Sequence, residues 1–305
     1  MTSSVDLVCA AGALNGESPG WHPVRQELFW VDIRSSALHA FDPKTGRDRS
    51  WDMPAWIGCH AVTRRGAVVA LRTGFYDFDA DAGTLTFLAQ SPFDPRRFLF
   101  NDGRCDRKGR FFAGPMFMPL SPDDGSSAET TAPLWRFDPS ADPERAWVAV
   151  TPPVKTSNGL AWSPDGKTMY HSDTEPKTIW AYDYDEATGV AENRRVFAQV
   201  EVANTHGGPD GASVDADGFY WCAVFANSCL LRFDPDGKLE RRVDLPVTYP
   251  TMPAFGGAEL KTLFITSANW TLSLDERRRN PLEGGLFALE APAPGLPPSL
   301  FEHAR

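Results

Sequence analysis

The stretch LFWVDIRSSALHAFDPKTGR, Leu28–Arg47, decides the reading of this chain. A short β-rich run is followed by a turn and a second run. The second run closes on an aromatic–aspartate pair, Phe41–Asp42, before a Pro-Lys-Thr-Gly turn. Alternating apolar and polar residues bounded by breakers describe an antiparallel hairpin. The closing aspartate is placed to accept backbone N–H bonds in its own turn, because its carboxylate mimics a backbone acceptor.

The pattern recurs along the chain. VVALRTGFYDFDADAGTL gives Phe78–Asp79, LWRFDPSADP gives Phe137–Asp138, TMYHSDTEPKTIWAYDYDEATG gives Tyr182–Asp183, and FYWCAVFANSCLLRFDPDGK gives Phe233–Asp234. A degenerate last copy, TLFITSAN then GGLFALEAP, centres on Phe287. Six copies in 305 residues leave roughly 50 residues each, the length of one four-stranded propeller blade. A β-sandwich would not repeat one local pattern six times. We therefore expect an all-β, six-bladed β-propeller forming a single domain over residues 1–305. Polar, breaker-rich segments at Met116–Thr131 and Asn269–Pro281 are expected to be the longest loops, and the run Glu276–Arg279 a solvated loop.

Composition agrees with many short strands and tight turns: 25 glycines, 26 prolines, 10 tryptophans and 20 phenylalanines. A net charge of −10 argues against nucleic acid or an anionic membrane as partner, since both require a basic face. The five cysteines include no C-x-x-C pair, and an odd count suits a reducing compartment. The N-terminus lacks a basic stretch leading into a long apolar run, so neither a signal peptide nor a membrane span is expected, and the cytoplasm is the expected location.

Four segments place polar groups where the strand pattern predicts turns or strand ends: Gly16–Pro19, Phe100–Gly103, Ser157–Leu160 and Gly208–Gly211. Each alone is an ordinary turn sequence. They lie on different repeats, however, and the inner loops of a propeller meet at one channel mouth. Oxygen-bearing side chains from several blades would suit a hard or intermediate divalent cation.

These blocks carry a family resemblance. GESPGWHP with LFWVDI, FNDGRCDRKGRFFAGPM, SNGLAWSPDGKTMYHSDT, PDGASVDADGFYW and FGGAELKTLFITSA occur in order from Gly16 to Ala268. Together they resemble the gluconolactonase/regucalcin (senescence marker protein) family of sugar lactonases. The resemblance implies a six-bladed propeller with one divalent metal ion (calcium, zinc, manganese, magnesium or iron(II)) in its channel, and hydrolysis of a small sugar lactone by metal-activated water. It implies Glu17, Asn158 and Asp210 as metal ligands and Asn101 as a neighbour that helps hold substrate. Asp210 is expected to double as general base.

The family's substrate-binding arginine, two residues before that asparagine, is Leu99 here. Arg96 and Arg97 lie just upstream, and Arg97 is the candidate replacement. His206, four residues before Asp210, is a further substrate-binding candidate whose alternative is a solvent-exposed loop histidine. His60 is weighed the same way. His171, inside a strand pattern, is expected to be structural, bonding to a neighbouring blade. Trp21, Trp56 and Phe225 are candidates for channel walls or for gaps between blades. Cys105 and Cys222 are expected to pack as small apolar groups. The competing functions are a related propeller hydrolase for other lactones, esters or organophosphates, and a non-enzymatic calcium-binding or scaffold propeller.

Overall fold

A computed structural model describes residues 4–121, 123–124 and 130–302. It contains six four-stranded antiparallel sheets, and their contacts close a ring. The innermost strands are Gly16–His22, Ile57–Val62, Phe98–Cys105, Ser157–Trp162, Gly208–Val214 and Pro250–Gly256, in blades 1 to 6. They are buried almost throughout, which explains why they read as continuous apolar and small-residue runs rather than as alternating strands. The outermost strands, such as Arg47–Asp52 and Leu239–Asp244, face solvent and carry the charge.

Each aromatic–aspartate pair sits at or near the end of its blade's third strand. Asp42, Asp79, Asp138 and Asp234 accept backbone N–H groups two residues on, as the turn chemistry requires. Blade 4 departs from the pattern. Its third strand runs on to Asp185, which accepts the Ala187 N–H. Asp183 instead accepts side-chain bonds from Asn193 and Arg195.

Ring closure uses the N-terminus. Asp6–Cys9 is the outer strand of blade 6, paired with Leu286–Glu290, so the first and last segments share one sheet. Closure of this kind ties the two ends of the ring together by strand pairing within one blade. The core lies between blades, where faces of adjacent sheets interlock. Phe75, for example, stacks on Phe111 of blade 3 at 4.9 Å. All five cysteines are free thiols, and Cys105 and Cys222 are buried among apolar side chains. No described helix is long and apolar enough to cross a membrane.

The segment after blade 6's second strand is not all loop. Leu274–Arg279 forms a short helix with a capping box between Ser273 and Glu276, so Glu276–Arg279 is helical. In the other long connection, Met116–Thr131, residues 122 and 125–129 lie outside the described residues.

Candidate active site in the central channel

Every inner strand carries a register irregularity, between Glu17 and Gly20, Ile57 and Cys59, Phe100 and Gly103, Asn158 and Ala161, Pro209 and Ala212, and Pro250 and Pro253. A bulge breaks strict alternation and re-aims side chains. Ser18 (φ 48°) and Gly159 (φ 62°) take left-handed backbone within these bulges. At Gly159 a side chain has no room: a Cβ would lie 2.3 Å from the Tyr220 hydroxyl oxygen. That hydroxyl donates to the Gly159 carbonyl at 2.7 Å and fixes the bend.

The bulges bring together side chains distant in sequence. Asn101 Nδ2 donates to Asn158 Oδ1 at 2.8 Å and to the Ser157 carbonyl at 2.9 Å. Asn158 Nδ2 donates to Thr174 Oγ1 at 2.8 Å, and that hydroxyl donates to the Pro209 carbonyl beside Asp210. Glu17, Asn101, Asn158 and Asp210 are all buried. Burial pushes the Glu17 carboxyl well above the usual carboxylate range, and the negative charges of Asp210 and Asp102 push it further. Asp210 is likewise raised, first by burial and then by Asp102, against opposing hydrogen bonds that include Asn158.

Asp102 is the site residue that sequence reasoning passed over. It is buried, accepts the Leu160 N–H through Oδ2 at 2.8 Å, and leaves Oδ1 without a partner. Strict alternation would turn it away from its neighbour Asn101, and the bulge removes that constraint. Its signal was present in the Asn-Asp-Gly block itself.

Of the other candidates, Trp21 and His60 line the channel cavity, and the rest lie outside the buried set. Leu99 is fully buried in an apolar cluster with Ile57 and Leu71. Arg97 donates Nε to the Asp124 carbonyl at 3.1 Å and lies over the Phe98 and Phe117 rings. Arg96 pairs with Asp94 at 2.8 Å. His206 is exposed, its backbone N–H bonded to Asn204 Oδ1. His171 bonds to Ser157 Oγ at 2.7 Å within its own blade, not to a neighbouring one, because the two lie on adjacent strands of one hairpin. Trp56 is covered by Arg34 and Arg72, Trp21 stacks on Phe264, and Phe225 packs on Tyr249. Arg34, at the turn after the strand facing Glu17, also lies 4.1 Å over Trp270.

Two buried carboxyls and a carboxamide, crowded by a third carboxylate, form an oxygen-rich set, and Arg104 offsets the charge at Asp102. A divalent cation fits that arrangement on charge and on donor chemistry. Among the described residues, no three Cys, His, Asp or Glu side chains gather as a metal cluster, so the fit depends on asparagine.

The model of the SMP-30/Gluconolactonase/LRE-like region matches residues 15–269. A 6-deoxy-6-sulfogluconolactonase of Pseudomonas putida is 37% identical over 304 residues, covering 99% of each chain. The pentonolactonase XacC of Haloferax volcanii is 32% identical, covering 97% of this chain and 96% of that one. Regucalcin of Xenopus laevis is also 32% identical, covering 98% and 99%. Among solved structures, the calcium-binding protein regucalcin of Agrobacterium tumefaciens superposes with a TM-score of 0.87 at 26% identity, covering 99% and 98%. With its six blades, its channel site and this match over most of its length, the chain belongs to the SMP-30/gluconolactonase/LRE-like family.

Proposed function

We propose that this protein hydrolyses a sugar lactone to the open-chain acid, using one divalent cation held by Glu17, Asn158 and Asp210. The observation that supports the reading is the proximity of these three buried side chains: Asn158 hydrogen-bonds to Asp210, and the Asp210 charge raises the Glu17 carboxyl, which burial has already raised. The lactonases among the relatives support the substrate class.

A lactone is a cyclic ester. Its hydrolysis requires a water to lose a proton as it attacks, and charge to be stabilised on the carbonyl oxygen. When bound, a divalent cation supplies Lewis-acid polarisation of the carbonyl and acidifies water. Glu17 and Asp210 offset the cation's charge, and Asn158 contributes its Oδ1. Asp210 accepts the proton of the attacking water on a carboxylate oxygen and returns it to the ring oxygen as the C–O bond breaks. Asn101 holds Asn158 in orientation through the 2.8 Å bond and lies beside the substrate. Arg97 and His206 lie outside this buried set and are candidates only for contacts to the sugar's outer hydroxyls.

The test is acid release from gluconolactone, xylonolactone, arabinonolactone and 6-deoxy-6-sulfogluconolactone, with added calcium, magnesium, manganese, zinc or iron(II) and after chelation. Hydrolysis of at least one lactone that disappears on chelation is expected. No hydrolysis with any cation would favour a scaffold propeller instead.

A further inference from the structure

Each side chain of the candidate site lies near the start of its inner strand: Glu17 and Asn158 second, Asp210 third and Asn101 fourth. The inner strands of a propeller run side by side around the channel, so their starts form one mouth. Arginine and tryptophan rim that mouth across blades 6, 1 and 2. Arg34 stands in the turn after Asp32, whose partner across the hairpin is Gly16, the first residue of the first inner strand. Trp56 directly precedes the inner strand of blade 2, and its carbonyl accepts the Arg72 N–H at 2.8 Å. Trp270 donates its backbone N–H to the Leu14 carbonyl at 3.0 Å, just before Gly16.

Arg34 is half-buried and lies over the Trp270 ring at 4.1 Å and the Trp56 ring at 5.7 Å. Ring contacts hold a guanidinium by its charge and leave its N–H donors unused. Among the described residues those donors have no hydrogen-bond or ion-pair partner, and Asp32 is the one carboxylate that acts on the charge. Asp32 is already engaged. Its Oδ1 accepts the Asn15 and Ser35 N–H groups, and its Oδ2 accepts the Leu14 N–H and the Ser35 hydroxyl. Arg72, 5.1 Å from the Trp56 ring, adds a second cation. It donates to the Pro95 and Met118 carbonyls, which carry no charge, and its Nε has no partner. A chain with a net charge of −10 thus keeps two guanidinium groups without ion-pair partners at this mouth. The charges that act on Glu17 are those of Asp210 and Asp102, not of either arginine. The two cations therefore stand off from the carboxyl set, where the part of a substrate remote from the reacting carbonyl would lie.

We propose that Arg34 binds a fixed negative charge at the far end of the lactone, a sulfonate, phosphate or carboxylate on the carbon remote from the ring carbonyl, with Arg72 strengthening the field and Trp56 and Trp270 holding the guanidinium in place. A planar fork of N–H donors matches two oxygens of such a group. The inference rests on the lactonase reading and narrows its substrates to anionic sugar lactones.

Steady-state hydrolysis with added divalent cation, corrected for spontaneous hydrolysis, tests it. The substrates are gluconolactone and its counterparts with a terminal sulfonate (6-deoxy-6-sulfogluconolactone), phosphate (6-phosphogluconolactone) or carboxylate (glucarolactone), which separate the three head groups. At least one anionic lactone is expected to exceed gluconolactone in kcat/KM by about tenfold or more, the scale of a charge-assisted hydrogen bond. Arg34→Gln is expected to shrink that ratio by about tenfold or more, chiefly through KM, and Arg34→Lys to shrink it less, because lysine keeps the charge and loses the fork. Trp270→Ala, at an exposed ring, is expected to shrink the ratio severalfold, and it decides the matter if Arg34→Gln does not fold. Hydrolysis of gluconolactone with no anionic lactone preferred overturns the inference and leaves the lactonase reading standing. An unchanged ratio in every folded variant does the same. No hydrolysis of any lactone removes both.

Discussion

Asn101 of blade 3 donates its side-chain amide to Asn158 Oδ1 of blade 4 across 2.8 Å. The bond turns one residue of the site into the orienting partner of another. Asn158 is held at both ends, since its own Nδ2 reaches Thr174. Its Oδ1 keeps a second lone pair for a further partner. Partners that orient metal ligands typically account for about 10–100-fold in metal affinity. We expect Asn101→Ala to weaken divalent-cation binding by about that factor, measured by calorimetric titration. Unchanged cation affinity would show that the two amides are coupled only structurally.

Asp210 combines a ligand's role with a proton acceptor's. Replacing it with alanine should lower lactone hydrolysis by at least about 100-fold at saturating cation, the lower end of what a positioned general base contributes. Far-ultraviolet circular dichroism should stay that of the parent, because Asp210 is a single channel-facing carboxyl whose burial raises its pKa and whose removal leaves the strand pairing of its blade in place. Near-parental turnover would remove Asp210 from the mechanism.

The pH dependence of stability follows from the raised carboxyls. Glu17 and Asp210 have folded-state pKa values above their ordinary ones, both mainly through burial. The folded state therefore holds their protons more tightly than the unfolded state. Their protonated forms cost little below the ordinary carboxylate range, and stability is lost as pH rises from there through the raised values. The chelated protein should thus melt at progressively lower temperature above about pH 4. A cation at 100 times its Kd should restore about 2.7 kcal/mol. Glu17→Gln should flatten the metal-free slope, and an identical slope in that variant would disprove the assignment.

Gly159 is a stringent position. Alanine there meets the Tyr220 hydroxyl at 2.3 Å and Ser172 Oγ at 2.6 Å, in a backbone region that costs a side chain about 1 kcal/mol or more. Gly159→Ala should lower the melting temperature and, by displacing Asn158, reduce hydrolysis. Paired Tyr220→Phe should relieve part of the clash without restoring the bond to the Gly159 carbonyl. A stable, fully active Gly159→Ala would contradict the bulge geometry.

The repeat was legible because its signals are local. Phe41–Asp42 and its counterparts announce hairpins through side-chain alternation and turn chemistry, which act over a few residues. Local reading failed where neighbours compete. Asp183 and Asp185 sit two residues apart with equal claims to one turn, and only the strand's length gave it to Asp185. The capping box of Ser273 and Glu276 was readable, yet the arginine run after it suggested only solvation. Leu99 could be seen as a departure from the family pattern, but not that it packs against Ile57 and Leu71.

The amino-acid sequence by itself determined the six-fold hairpin pattern, the family and the membership of Glu17, Asn101, Asn158 and Asp210 in one candidate set. Tertiary structure alone decided that Asp6–Cys9 closes the ring and that Asp102 joins the carboxylates. The reason is physical. Alternation and turn preference depend on neighbouring residues, whereas channel facing is set by bulges and by strands from different blades meeting around one axis, and no local pattern encodes that distance.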